Sequence, residues 1–278
     1  MRNGALLCLA LALGCDPNVV DAVRLPPEPP PSDMPMGTAG MPPDSPLSTS
    51  LIHRYSFDGE GDVVLDSKFS ANGRAVGAEL TGSGALTLAG EMTGQHVALP
   101  NHILAAVQDD ATFEAWLTWT GGHVWERIFD FGSNNATDKD PDTYSGVSYL
   151  FLTPLAANDP ARPLPSGVRL AYAQTGVTDE DVCDAQSPFP MNEPAHVAAV
   201  IDHTAGKMAL YLNGALLLEC PLRRPLSAIN DVNNWLGRSN YSQDNQLSGS
   251  YDEFRIYNAA LSAAEIADSF AAGPNATP

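Results

Sequence analysis

The run Tyr251-Asp252-Glu253-Phe254-Arg255-Ile256-Tyr257 decides how the rest of the chain is read. Aromatic and β-branched residues alternate with charged ones, without glycine or proline, which is the pattern of a β-strand. Strict alternation puts Asp252, Phe254 and Ile256 on one face and Glu253, Arg255 and Tyr257 on the other. A carboxylate that shares a face with two apolar side chains needs compensation once covered, from a cation or from hydrogen bonds. Just downstream, Ser262 and Glu265 have the spacing of a capping box. Leu261 and Ile266 can pack the resulting short helix on a sheet. The C-terminal end is therefore expected to be a strand followed by a short helix.

Upstream, residues 111–120 read Ala-Thr-Phe-Glu-Ala-Trp-Leu-Thr-Trp-Thr. Phe113, Ala115, Leu117 and Trp119 fall on one face, which reads as core. Trp116 on the other face implies that this side is covered too, so the strand is expected to be central. Residues 195–202 and 207–212 read as a hairpin, and Asn213-Gly214 is a two-residue turn that supplies positive φ. In residues 53–58 alternation groups His53, Tyr55 and Phe57. Further short strands are expected at 63–65, 74–76, 85–88, 96–99, 125–131, 146–153, 168–173, 216–220 and 234–237, with 178–194 irregular. No long helical period occurs in 51–257. Many short strands with frequent turn signals imply an all-β, two-sheet antiparallel sandwich with a short C-terminal helix.

The chain has 278 residues, with 33 acidic against 14 basic side chains and a formal charge of −19. Such a surface repels phosphate backbones, so no nucleic-acid partner is expected, and it supplies carboxylates for hard cations. Residues 15–50 are dense in proline and lack aromatics, which predicts a disordered tether. Residues 1–14 read as a signal peptide: Arg2 leads into an apolar stretch at 5–13 that is too short to span a bilayer. Its end, Leu11-Ala12-Leu13-Gly14-Cys15, resembles a bacterial lipobox, although Ala12 stands where such motifs usually have leucine. The resemblance implies lipidation of Cys15 and an exported protein anchored to the cell envelope, with the membrane reached through the lipid alone. Cys8 would leave with the signal. Cys183 and Cys220 remain, an even pair in an exported domain that reads as one disulfide, against two free thiols as the alternative. The folded domain is expected over 51–273, with a disordered tail at 274–278.

An ordered set of segments carries a wider resemblance. Tyr55-Ser56-Phe57-Asp58, Phe113-Glu114-Ala115-Trp116-Leu117, His196-Val197-Ala198, Leu210-Tyr211-Leu212-Asn213-Gly214, Leu236-Gly237-Arg238 and 251–258 follow one another. Together they resemble the LamG-like jelly-roll domains of the concanavalin A-like lectin/glucanase superfamily. That resemblance implies a jelly roll, and a structural calcium ion tying the first strand to the last. Asp252 matches the position of the carboxylate that opens the last strand, Asp58 is the candidate from the first strand, and the loop at Gly90 is a candidate source of carbonyl ligands.

Other chemistry is sparse. Asp138-Lys139-Asp140-Pro141-Asp142 alternates carboxylates, but Thr143 and Tyr149 stand where an EF-hand needs Gly and Glu, so it reads as a solvated turn. The closely spaced strand acids of glucanases are absent, as are a Gly-x-Ser-x-Gly elbow, a His-Glu-x-x-His pair and a phosphate loop. No enzyme activity and no catalytic residue are expected. The polar loop 238–246 suits sugar hydroxyls, with Arg238, Asn240, Tyr241 and Asp244 as candidate ligand contacts. The expected function is non-catalytic recognition of carbohydrate or a surface glycoconjugate. Adhesion to an envelope protein is the alternative, and a glycoside hydrolase with unrecognised acids is third.

Overall fold

The computed structural model describes residues 45–139, 141–157 and 167–276. The signal segment, Cys15 and all but the end of the tether lie outside the described residues, as does Asp140. The first element is a short helix, α1 (Pro46–Ser50), capped by Ser45, whose side chain accepts from the Ser48 amide at 3.1 Å. Leu47 and Ser50 are buried there, so ordered structure begins inside the segment expected to be tether.

The strands follow in chain order. They are β1 (Leu51–Tyr55), β2 (Glu60–Gly61), β3 (Val63–Val64), β4 (Gly73–Val76), β5 (Leu80–Thr81) and β6 (Leu86–Glu91). Next come β7 (His96–Leu99), β8 (Asp110–Trp119), β9 (Phe129–Asn134), β10 (Gly146–Thr153), β11 (Arg169–Ala173) and β12 (Asp181–Asp184). The last are β13 (Pro194–Asp202), β14 (Lys207–Leu212), β15 (Ala215–Pro221), β16 (Asn233–Leu236) and β17 (Gln246–Tyr257), with helix α2 (Ala263–Ala272) behind them.

They form two facing antiparallel sheets. One is seven-stranded, in the order β1-β17-β8-β13-β14-β15, with β6 also on β17. The other is eight-stranded, in the order β12-β11-β10-β9-β16-β7-β4-β3, and β2 with β5 forms a small separate ribbon. The expected sandwich is therefore present. β8 is central as its two-faced pattern required, flanked by β17 and β13. Phe113, Ala115, Leu117 and Trp119 enter the inter-sheet core beside Phe129, Phe131 and Phe254. Asn213 and Gly214 both have positive φ, 48° and 76°, as the primed hairpin turn demands. The disulfide Cys183–Cys220 joins β12 of one sheet to β15 of the other. Within 178–194, expected to be irregular, β12 is thus a paired strand. Residues 125–128, expected in a strand, precede β9 instead.

The helices cover the outer face of the seven-stranded sheet. Leu47, Leu261 and Ile266 pack with Tyr211 and Tyr257 in a second apolar cluster. The Ser262–Glu265 capping box forms as expected. Beneath α2, Glu114 is fully buried; Tyr257 and Ser269 each donate a hydroxyl to it at 2.8 Å, and His196 lies 3.2 Å away. Arg255 is also fully buried, donates to Glu253 at 2.7 Å, and reaches the carbonyls of Pro274 and Ala276 at 2.9 and 2.7 Å. Residues 274–276, expected as disordered tail, are anchored by this side chain and by Arg54, which donates to the Pro274 carbonyl at 3.3 Å.

Candidate functional site: the outer face of the eight-stranded sheet

Register sets what this face displays. Arg74 pairs with Ala98, Ala98 with Trp235, Trp235 with Asp130, Asp130 with Phe151 and Phe151 with Ala171. Because side chains alternate across a strand, these form one row on the face turned away from the core.

One half of the row is covered. Tyr149, Phe151, Ala171 and Ala173 make a separate apolar cluster under Trp125 and Tyr241. Arg127 lies in this half, 2% exposed, with its guanidinium 4.0 Å from the Phe151 ring centroid. It donates to Asp244 at 2.8 Å and to Asp130 at 3.3 Å. Burial pushes both carboxyls up, against the pull of the Arg127 guanidinium. Asn240 is completely buried: its backbone and side-chain N–H groups donate to Asp130 at 2.9 and 2.8 Å, and its carbonyl oxygen accepts from Asn134 and Asn233 at 3.2 and 3.1 Å. The loop is closed on itself by Ser239, whose hydroxyl donates to Asp244 at 2.7 Å.

The expected binding rim is thus a cover pinned to the sheet. Asn240 and Asp244 are the pins, and their polar atoms serve the protein rather than a ligand. Arg238 and Tyr241 differ. Tyr241 is partly exposed, and its hydroxyl donates to that of Tyr149 at 3.2 Å. Arg238 is partly exposed, lies with its guanidinium 4.4 Å from the Trp235 ring centroid, and donates to the Tyr144 hydroxyl at 2.8 Å.

The other half of the row is open. Trp235 is partly exposed there, and His96 meets it edge-on with ring centroids 6.0 Å apart. Burial lowers the His96 pKa to about 4, so the ring is neutral at physiological pH. Beyond Ala98, a groove of about 750 Å3 runs along β4, edged by the Arg74–Asp62 ion pair at 2.8 Å and by Glu79. An indole with a guanidinium stacked on it, beside a polar groove, can hold a ring by its flat face and hydrogen-bond its substituents. Sequence reasoning missed Trp235. The signal was there: in Asn234-Trp235-Leu236, burial of Leu236 and Asn234 sends the indole outward by alternation.

The candidate cation corner lies on the opposite sheet. The register of β17 against β8 shifts between Tyr251 and Glu253, so Asp252 is the extra residue of a bulge. Tyr251, Phe254 and Ile256 face the core, three residues apart at the first step instead of two, so the inserted Asp252 stands outside strict alternation. Its carboxyl is pushed up by burial alone, with no offsetting donor among the described residues. Asp58 is exposed, with Oδ1 3.2 Å from where a Cβ on Gly84 would lie. β6 runs antiparallel to β17, with Leu86 opposite Tyr251 and Ala89 opposite Ser248. Asp58 and Asp252 therefore approach the same end of β6. Gly90 backs onto Ser248 near the other end, which removes it from a shared ligand set with Asp252. Among the described residues no three His, Cys, Asp or Glu side chains cluster. A hard cation at this corner would rest on two carboxylates completed by carbonyls of the adjoining turn.

Known proteins bear on the fold. Over 79% of this chain, domain 4 of AbnA, a GH43 extracellular arabinanase from Geobacillus stearothermophilus in complex with arabinotriose, matches with TM-score 0.54 and 19% identity, over 97% of its own length. Trypanosoma rangeli sialidase matches 80% of this chain with TM-score 0.55 and 14% identity, over 32% of its length. The Ruminococcus gnavus IT-sialidase CBM40, bound to alpha2,3 sialyllactose, matches 66% of this chain with TM-score 0.50 and 17% identity, over 95% of its length. At these identities the likeness is one of fold. No curated relative matches the chain. The family model Laminin_G_3, described as "Concanavalin A-like lectin/glucanases superfamily", matches residues 91–267, more than half of the sequence. The chain belongs to that family.

Proposed function

We propose that this domain is a non-catalytic carbohydrate-recognition module, displayed from the cell envelope by a lipid on Cys15 and taking a carbohydrate or surface glycoconjugate on the open half of the eight-stranded sheet. The observation that carries the reading is the partly exposed Trp235 with Arg238 stacked on it, in one row with a groove on β4 that Asp62, Arg74 and Glu79 edge. Two modules that share the fold, the arabinanase domain and the CBM40, are complexed with arabinotriose and sialyllactose, which supports a sugar as the ligand class. The non-catalytic part of the reading rests on the acids of this face. Asp130 and Asp244 both engage Arg127 under the loop, and Asp62 at the edge of the open groove is taken up by Arg74.

A glycan array probed with the protein tests this. Specific signals competed by free sugar are expected, and Trp235→Ala and Arg238→Ala should each lower the affinity about fivefold or more, since a stacking contact is worth roughly 1 kcal/mol or above. Silence across the array, or full binding by both variants, would sink the assignment. The envelope anchor is checked by feeding cells a labelled fatty acid: label is expected on the wild type and absent from Cys15→Ser.

Protein–protein adhesion is the second reading. β15 is an edge strand of its sheet and exposes Leu216 and Leu217, 50% and 41%, which an added strand from a partner would cover. Capture of a single envelope protein, lost in Leu216→Lys, would favour it.

A further inference from the structure

A second concavity lies away from the carbohydrate platform, where β1 meets residues 66–71 and 100–106. It is a groove of about 350 Å3 with apolar walls that include Ile52, Phe69, Pro100 and Ile103. Phe69 is 64% exposed and meets His53 edge-on, ring centroids 6.1 Å apart, so its free face is open to the groove. Two imidazoles, His53 and His102, also line the groove. His102 sits at the rim with a strained positive φ of 60°, its Nδ1 3.5 Å from Asp231.

His53 is the distinctive group. The register of β1 against β17 shifts between Leu51 and His53, with Ile52 the extra residue; His53 itself pairs with Ile256 and stacks on Tyr55, ring centroids 6.5 Å apart, so it shares the Tyr55 face. Its Nδ1 lies 2.8 Å from Asp66 Oδ2. The Asp66 carboxylate also accepts from the backbone amides of Arg54, Lys68 and Ala71 at 3.1, 3.0 and 3.3 Å. Burial alone would raise the Asp66 pKa, but the His53 hydrogen bond and these amides outweigh it and hold it at about 2. An ionised acceptor at Nδ1 requires a proton there, so neutral His53 keeps its lone pair on Nε2. That nitrogen has no partner among the described residues. Nor is it sealed, since the buried side-chain atoms left without partners are His196 Nδ1 and Asn234 Oδ1. The groove thus offers one fixed acceptor, backed by a carboxylate, among apolar walls.

The geometry points to a binding site for a small phenol, with its ring against Phe69 and the apolar walls and its hydroxyl donating to His53 Nε2. The volume is at the low end of small-molecule pockets. A sugar would need many more polar partners than these walls supply, whereas one acceptor matches one hydroxyl. A phenol hydroxyl is a stronger donor than that of an aliphatic alcohol, so a single acceptor among apolar walls favours the phenol.

Titration calorimetry of the full-length protein with p-cresol, toluene and p-methylanisole tests the site. p-Cresol should bind roughly tenfold more tightly than the other two, the gain from one hydrogen bond. His53→Leu should bring p-cresol to within about twofold of toluene, and Phe69→Ala should weaken all three. The ligand series keeps the test valid even if His53→Leu fails to fold, because p-methylanisole lacks only the donor. Equal affinities for p-cresol and p-methylanisole in the wild type, retention of the p-cresol preference in His53→Leu, or no saturable binding of p-cresol would each overturn the proposal.

Discussion

Asp252 shows how one backbone irregularity changes a residue's meaning. Alternation along β17 makes it an inward-facing carboxylate in need of a cation, but the bulge turns it into a partly exposed acid beside Asp58's end of β6. Its folded pKa is raised by burial, with no offsetting donor among the described residues. A raised acid costs stability: the cost is absent below the unfolded value, grows as pH rises towards the folded value, and is complete above it. Without divalent ions, Asp252→Asn should therefore melt slightly higher than the wild type at neutral pH, and the difference should vanish in acid. If calcium binds this corner, the order reverses: calcium raises the wild-type melting temperature and leaves Asp252→Asn unmoved. Calorimetry with EDTA and with calcium separates the two, and a melting curve indifferent to calcium in both proteins would rule the clip out. Trp235 teaches the complementary point. Its outward direction was legible from its inward neighbours, but the Arg238 guanidinium that lies on it comes from beyond the end of β16.

At the scale of elements, α2 and the tail behind it are held by charge as much as by apolar contact. The capping box was legible because Ser262 and Glu265 lie within four residues of each other, and local hydrogen bonds follow local spacing. The Arg255 anchor was not legible, because its partners Glu253, Pro274 and Ala276 meet only once β17 and the tail are in place. Arg255 is fully buried over Trp116, its guanidinium 4.5 Å from the ring. Arg255→Met keeps the volume but leaves Glu253 with Arg54 as its remaining charged partner. Breaking a buried pair in this way typically costs about 3–5 kcal/mol, and the surviving Arg54 contact should hold the loss to the lower end, about 3 kcal/mol. Denaturant unfolding measures the loss, and limited proteolysis should show the C-terminal residues cut first. A variant as stable as the wild type would mean that the tail does not depend on Arg255, and that Arg54 and apolar contacts hold it instead. The loop 238–246 illustrates the same limit: its composition suggested a rim, while the buried Asp130 and Arg127 beneath it made Asn240 and Asp244 into pins.

For the whole molecule, long-range covalent and register constraints dominate. The disulfide crosses the two sheets and closes a loop of 37 residues, worth up to roughly 4 kcal/mol in the chain-entropy model. An even pair of cysteines, in a chain whose start reads as an export signal, was enough to expect it. The sandwich itself was legible for a simple reason: a period of two in burial, interrupted by turn residues, leaves few ways to hide the apolar faces. Residues 111–120 carried both faces of the central strand in their own pattern, and Asn213-Gly214 carried its turn. By itself, then, the sequence determined the fold class, the central strand, the last strand with its capped helix, and the cysteine pair, because each depends on residues near in sequence or on composition. Only the tertiary structure decided which side chains are functional. The bulge at Asp252 broke the alternation on which its assignment rested, and sheet register brought Trp235, with Arg238 on it, and the β4 groove to one face. Packing also turned the polar atoms of Asn240 and Asp244 inward. Those outcomes depend on contacts between segments a hundred or more residues apart, which no local pattern encodes.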